Sequence, residues 1–99
     1  MDRPVGPVLR MCDEVESVID AIRDDNPDID IDVIDRGAYV RVQGPGRVRV
    51  TEASLQHHLG PSFELRSLQT MLASFAGRIS TSSDEMSWEW ATKRTGAST

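Results

Sequence analysis

Only one cysteine, Cys12, stands in the 99 residues. That excludes an intrachain disulfide and leaves too few thiolates for an iron–sulfur cluster of the usual kind. Read locally, Cys12 is a small, semi-buried apolar residue just ahead of a helix. The only histidines, His57 and His58, are adjacent. Adjacent positions on a helix project about 100° apart and do not chelate one ion in the usual way. No Glu-x-x-His pair occurs, whereas a carboxylate di-iron site is built on a pair of such motifs with further glutamates. A zinc site needs three or four converging ligands, for which this is poor material. Gly44-Pro45-Gly46 lacks the third glycine and the following helix of a dinucleotide fingerprint, and there is no phosphate-loop lysine. The serines have no nucleophile elbow around them. Asp28, Asp30 and Asp32 lack the later glycine and glutamate of a calcium loop. Their alternation with Ile29 and Ile31 reads as the wet face of a strand. The expectation is a protein with no metal, no cofactor and no catalytic residues, hence not an enzyme.

Other scarcities narrow the class further. There is no long hydrophobic run, so neither a signal peptide nor a membrane span is expected, and a reducing cytoplasm is the default. Eleven basic against sixteen acidic residues give a net charge of −5. That balance opposes non-specific binding to nucleic acid or to anionic membranes, and suits a partner with a basic patch. Arg36, Arg41, Arg47 and Arg49 form a local basic cluster. It reads either as an anion-binding patch or as arginines neutralised by neighbouring aspartates. Tyr39 alone offers stacking there, which is thin for single-strand binding. The length fits one domain, residues 1–99, with one modest core; residues 1–4 and 91–99 are polar and expected to fray.

What is present is alternation. Val8-Leu9-Arg10-Met11 reads as a first strand. Asp13 as N-cap, with Glu16 three residues on, forms a capping box. Val15, Val18, Ile19 and Ile22 follow at i, i+3, i+4 and i+7, the stripe of an amphipathic helix that ends before Pro27. Asp24 and Asp25 sit at that helix's negative end, a local conflict that hints at function. Ile29, Ile31 and Val33, then Val40 and Val42, then Val48 and Val50, mark three alternating strands. Closing the last two across Gly44-Pro45-Gly46 would set Val42 opposite Val48 and Arg41 opposite Arg49. Matching Val33 to Val40 would set Asp32 beside Arg41, with Ile34 and Tyr39 as an apolar island on the polar face. Thr51 caps a short helix closed by Gly60-Pro61. Leu65, Leu68, Met71, Leu72 and Phe75 read as a third helix, with Phe75 to Gly77 as the turn that follows. Arg78 to Thr81 and Met86 to Trp90 read as a terminal hairpin with Met86, Trp88 and Trp90 on one face. Trp88 and Trp90 belong to the core on this reading. The sum is an α+β class: one small domain in which an antiparallel sheet and a terminal hairpin pack against about three helices.

Five short segments stand in an ordered series: Val5-Gly6-Pro7, Asp25-Asn26-Pro27, Ala38-Tyr39-Val40-Arg41, Leu59-Gly60-Pro61-Ser62-Phe63 and Leu72-Ala73-Ser74-Phe75-Ala76-Gly77. From Val5 to Trp90 this series resembles the small effector, or coupling, proteins of bacterial multicomponent di-iron monooxygenases, which act on toluene, phenol, methane or alkenes. The sequence differs from that pattern in an apolar Ile34 and in the Gly-Pro-Gly loop. The resemblance implies a cofactor-free regulatory component, a monomer when free. It would dock on the large di-iron subunit of a hydroxylase, shift helices near the metal centre, gate substrate and couple electron delivery to oxygen activation. With no methane-type N-terminal extension, a short-arm aromatic, phenol or alkene system is the expectation. Docking candidates are Val5, Gly6 and Pro7 as an arm that orders on binding, Asp25, Asn26 and Pro27 at a helix end with unspent polar groups, and Ile34, Tyr39 and Arg41 on the sheet face. The alternative classes are a small acidic interaction adaptor unrelated to oxygenases and a stand-alone enzyme with an unrecognised pocket. The hydrocarbon is not encoded here, because an effector need not line the substrate pocket.

Overall fold

A computed structural model describes residues 4–90. In chain order the elements are β1 (Pro4–Arg10), α1 (Val15–Asp25), β2 (Asp32–Asp35), β3 (Tyr39–Pro45), β4 (Arg47–Thr51), α2 (Glu52–Leu59), α3 (Leu65–Met71), β5 (Leu72–Ala76), β6 (Arg78–Thr81) and β7 (Glu85–Glu89). The strands form two antiparallel sheets, one of four strands in the order β2-β3-β1-β5 and one of three in the order β4-β7-β6. The α+β class with three helices and a terminal hairpin is as expected, while the single central sheet becomes two. The expected frayed ends fall at residues 1–3 and 91–99, outside the described residues, except that Pro4 opens β1.

Periodicity accounts for the core. The α1 stripe Val15, Val18, Ile19 and Ile22 is buried, together with Ala21. It meets Val5 and Leu9 of β1, Val40 and Val42 of β3, Val48 and Val50 of β4, and Met86 and Trp88 of β7. Leu55 of α2 and Leu65 and Leu68 of α3 complete the cluster. Trp88 is its largest side chain and has no exposed surface, and its indole N–H is buried without a partner. Trp90, expected in the core, is instead 38% exposed. Thr51 caps α2 as expected, its hydroxyl accepting from the Ser54 N–H at 3.1 Å, and Gly60 ends the helix. The Asp13–Glu16 capping box does not form. A turn fills its place, with the Val15 N–H on the Cys12 carbonyl at 3.2 Å, and Glu14 is the N-cap with no side-chain bond. Cys12, in that turn, is exposed and not semi-buried.

Strand pairing departs most from expectation. The second edge of β3 is taken by β1, with Leu9 facing Val40 and Val8 facing Arg41, so β4 has no edge to pair with. Pro45 stays within β3, and Gly46 (φ 78°) turns the chain directly into the other sheet, where Val48 faces Trp88 and Val50 faces Met86. The Arg41–Arg49 pair and the row from Asp32 through Arg41 to Arg49 therefore do not exist. In the β2–β3 ladder Val33 faces Val42, Ile34 faces Arg41 and Asp32 faces Gln43. This register is two residues from the one derived above, and a shift of two preserves the faces. Ile29 and Ile31 lie before β2 rather than in it, partly buried against the core. The third helix stops at Met71. Leu72 to Ala76 become β5, which pairs with the free edge of β1, Leu72 facing Leu9 and Phe75 facing Pro7. Backbone pairing on an open strand edge outweighs three further helical residues there, and Phe75 is left 42% exposed.

β1 is thus a central strand, and Gly6 is its tightest point. Gly6 has φ 140°, and a Cβ there would collide with the Val42 carbonyl oxygen of β3. Gly6→Ala therefore combines backbone strain with a clash against main chain that has no rotamer to give. It is expected to cost about 2–4 kcal/mol, read as a lowered urea midpoint at unchanged slope.

Candidate functional site

The sequence candidates separate into three environments. Val5, Gly6 and Pro7 are buried inside β1, and Val5 has no exposed surface. They form part of the fold and not a free arm, because β1 is hydrogen-bonded into a sheet on both edges.

Asp25, Asn26 and Pro27 follow α1, and their polar groups are spent internally. Asn26 is 9% exposed. Its side-chain N–H2 donates to the carbonyls of Ile22 and Arg49, each at 2.6 Å, and its carbonyl accepts from the Arg49 N–H at 3.1 Å. The Asp25 carboxylate accepts from the Thr51 N–H at 2.8 Å, the Thr51 hydroxyl at 3.1 Å and the Ser54 hydroxyl at 2.8 Å. The conflict between Asp25 and the negative end of α1 is answered by the positive end of α2. Asp24 likewise finds His58, Oδ2 to Nε2 at 2.6 Å. Pro27 alone of the three candidates is exposed. Beside this joint lies an ion-pair cluster that local pattern does not disclose. The Arg49 guanidinium meets Glu85 through two bonds, at 3.1 and 3.2 Å, and Arg47 reaches Glu85 at 3.4 Å and Glu89 at 3.6 Å. The hydrogen bond from Arg49 holds the Glu85 carboxyl below its ordinary value. The partners lie 36 residues apart in the chain, so no spacing signal pointed to them.

Ile34, Tyr39 and Arg41 are brought together on one face of the four-stranded sheet. Ile34 stands directly opposite Arg41, and Tyr39 lies two residues before Arg41 on the same strand. All three are exposed, Ile34 at 37% and Tyr39 at 48%. The supposed basic cluster is therefore two: Arg47 and Arg49 are neutralised by glutamates on the smaller sheet, while Arg36 and Arg41 sit at the larger one.

Among the described residues no group of three or more His, Cys, Asp or Glu is placed to hold a metal ion, and no helix is long and apolar enough to cross a membrane. The MmoB/DmpM family model matches residues 3–89, and the chain belongs to that family. It is 45% identical over 84 residues to the effector subunit of the alkene monooxygenase system of Xanthobacter autotrophicus (strain ATCC BAA-1158 / Py2), covering 85% of this chain and 83% of that protein. A chain of a phenol hydroxylase–regulatory protein complex superposes with a TM-score of 0.79 at 22% identity, over 90% of this chain and 100% of that one. The soluble methane monooxygenase regulatory protein B superposes with a TM-score of 0.67 at 23% identity, over 89% of this chain and 65% of that one. These two likenesses are of fold. The unrelated-adaptor alternative is set aside by the family match.

Two measurements check this joint. Asn26→Ala strands the Arg49 N–H and carbonyl and the Ile22 carbonyl, and should cost about 2–4 kcal/mol in urea unfolding. Glu85 has a folded value below its unfolded one, so its contribution is present above about pH 4.5 and is lost as pH falls through the lower, folded value. The stability gap between wild type and Glu85→Gln, measured by denaturation from pH 7 downward, should hold to about pH 4.5 and then close.

Proposed function

We propose that the chain is the effector subunit of a multicomponent monooxygenase, a non-catalytic component that docks on a di-iron hydroxylase and tunes substrate access, oxygen activation and electron coupling. The observation that carries this reading is the 45% identity, over most of both chains, to an alkene monooxygenase effector subunit. Alkene epoxidation is accordingly the reaction we assign to its partner. The physical account is a population shift: the effector binds one hydroxylase conformation better than another, and only that difference alters turnover. A differential of roughly 1–3 kcal/mol moves the equilibrium about 5- to 150-fold. We place it in the cytoplasm, which suits a free and exposed Cys12. We also infer a monomer when free. The edge strand β2 carries Asp32 and Asp35, charges that discourage strand-to-strand pairing between copies.

Reconstitution tests the proposal. The purified chain alone should oxidise no alkene. Added to the hydroxylase and reductase of an alkene monooxygenase system, it should raise epoxide formed per reductant consumed, saturating at stoichiometric effector. A system whose rate and coupling ignore the chain at every concentration would refute the reading.

A further inference from the structure

We propose that residues 27–37, with β2 at their centre, form a strap that opens and closes as a unit on an otherwise intact fold, pinned shut by Ile29 and Ile31 over Gly44. The strap belongs to the free chain and does not depend on the effector reading. Both of its ends are anchored. Asn26 is tied to Ile22 and Arg49 on one side, and on the other the Met11 N–H donates to the Ala38 carbonyl at 2.9 Å. Gly37, just before the second anchor, has φ 84° and open space where a Cβ would stand, so the chain can swing there without a side chain to move.

Little holds the segment down between those anchors. β2 is an edge strand, and its one ladder is to β3. Val33 and Ile34 lie on opposite faces of it, and each is 37% exposed, so neither face of the strand is covered. Among the described residues no ion pair fastens Asp28, Asp30, Asp32 or Asp35 to another part of the chain. The Asp35 carboxylate is used inside the segment, on the Gly37 N–H at 2.7 Å. Two clefts border the same stretch, one of about 500 Å³ against Arg23 and one of about 370 Å³ against Pro4 and Pro45. Few buried apolar contacts and a ladder open to water on one side are the marks of a unit that opens well below the global unfolding free energy.

The fastening is a pair of isoleucine tips. Ile29 and Ile31 are partly buried against the core. They meet where Gly44 of β3 has no side chain: a Cβ there would stand 3.0 Å from the Ile29 Cδ1, 3.1 Å from the Ile31 Cδ1 and 3.0 Å from the Val48 Cγ2 of β4. Gly44 therefore leaves a seat for both tips where the chain passes from one sheet to the other. With the tips seated the larger sheet has four strands and Ile34 stands opposite Arg41; with them released it has three, and the edge of β3 is bare. A ligand of either form shifts the balance by its differential affinity for the two.

Native-state hydrogen exchange on the whole chain tests the strap, with urea unfolding recorded for each variant. In wild type, amides bonded across the β2–β3 ladder should be protected at least about tenfold less than those of the β1–β3 ladder, and their exchange should respond little to mild urea. Ile31→Ala, which removes one tip, should lower β2–β3 protection about tenfold further, and Gly44→Ala, which fills the seat, about threefold or more. Both should leave β1–β3 protection within about threefold of wild type. If Gly44→Ala lowers the global midpoint, Ile31→Ala decides. Equal protection and equal urea response of the two ladders would show that the segment opens only with the whole fold, and would overturn the strap. Loss of both ladders alike in Ile31→Ala would make Ile31 a residue of the general core and overturn it too. Fast β2–β3 exchange that neither variant changes would overturn the pinning by Ile29 and Ile31. The measurement needs no partner protein, so none of these outcomes bears on the effector reading.

Discussion

Asn26 behaves as a strand residue made from a side chain. Its amide exchanges a donor and an acceptor with the backbone of Arg49, as a ladder partner would, and its second N–H closes the last turn of α1 on the Ile22 carbonyl. The main chain of Asn26 is used as well, its N–H on the Arg23 carbonyl at 3.2 Å and its carbonyl accepting from the Ile29 N–H at 3.4 Å. The preceding residue, Asp25, holds Thr51 and Ser54 at the start of α2. Two consecutive residues thus tie α1, β4 and α2 into one body, and the apolar stripe of α1 has one orientation over the core because its far end is fixed. A buried amide with its donors and acceptor satisfied gives a single geometry, whereas an apolar contact tolerates sliding.

That fixed body supports a division between the two sheets. β1 enters between β3 and β5, taking the edge of β3 that β4 would otherwise have used and offering its own free edge to Leu72–Ala76, which would otherwise extend α3. Its close approach to β3 at Gly6 and the turn at Gly46 send the chain into the second sheet without a loop of any length. The smaller sheet then keeps its charges to itself, Arg47 and Arg49 against Glu85 and Glu89, while the larger one presents Arg10 and Arg41 to solvent.

What was legible in the sequence was what is decided locally. The α1 stripe, the Thr51 cap, the Gly60 stop and the hairpin around Ser82 to Glu85 each depend on residues within one or two turns of one another. Pairing depends on competition for edges, which no window of sequence contains. Val40, Val42, Val48 and Val50 alternate as a hairpin would, but alternation names a buried face and not the strand across from it. Leu68 to Phe75 satisfies a helical period as far as Met71, and only the open edge of β1 explains why Leu72 leaves it. The Ile34–Tyr39–Arg41 grouping survived a wrong register because the error was two residues, an even number that leaves every side chain on its own face. The polar groups of Asp25 and Asn26, expected to be unspent, break the rules of α1 in order to satisfy those of α2 and β4, so the local conflict marks a tertiary joint.

A regulator without chemistry of its own has only binding free energy to apply, and that quantity is reduced by whatever ordering accompanies docking. A side chain on a hydrogen-bonded strand loses little freedom on contact with a partner, because its backbone is already fixed. More of the interaction is then available as a difference between hydroxylase conformations, the only part that can change a rate. Electrostatic attraction speeds encounter without discriminating strongly between two conformations of a partner. Discrimination falls instead to short-range apolar contacts, whose fit changes when a helix beneath them moves by about an ångström or two.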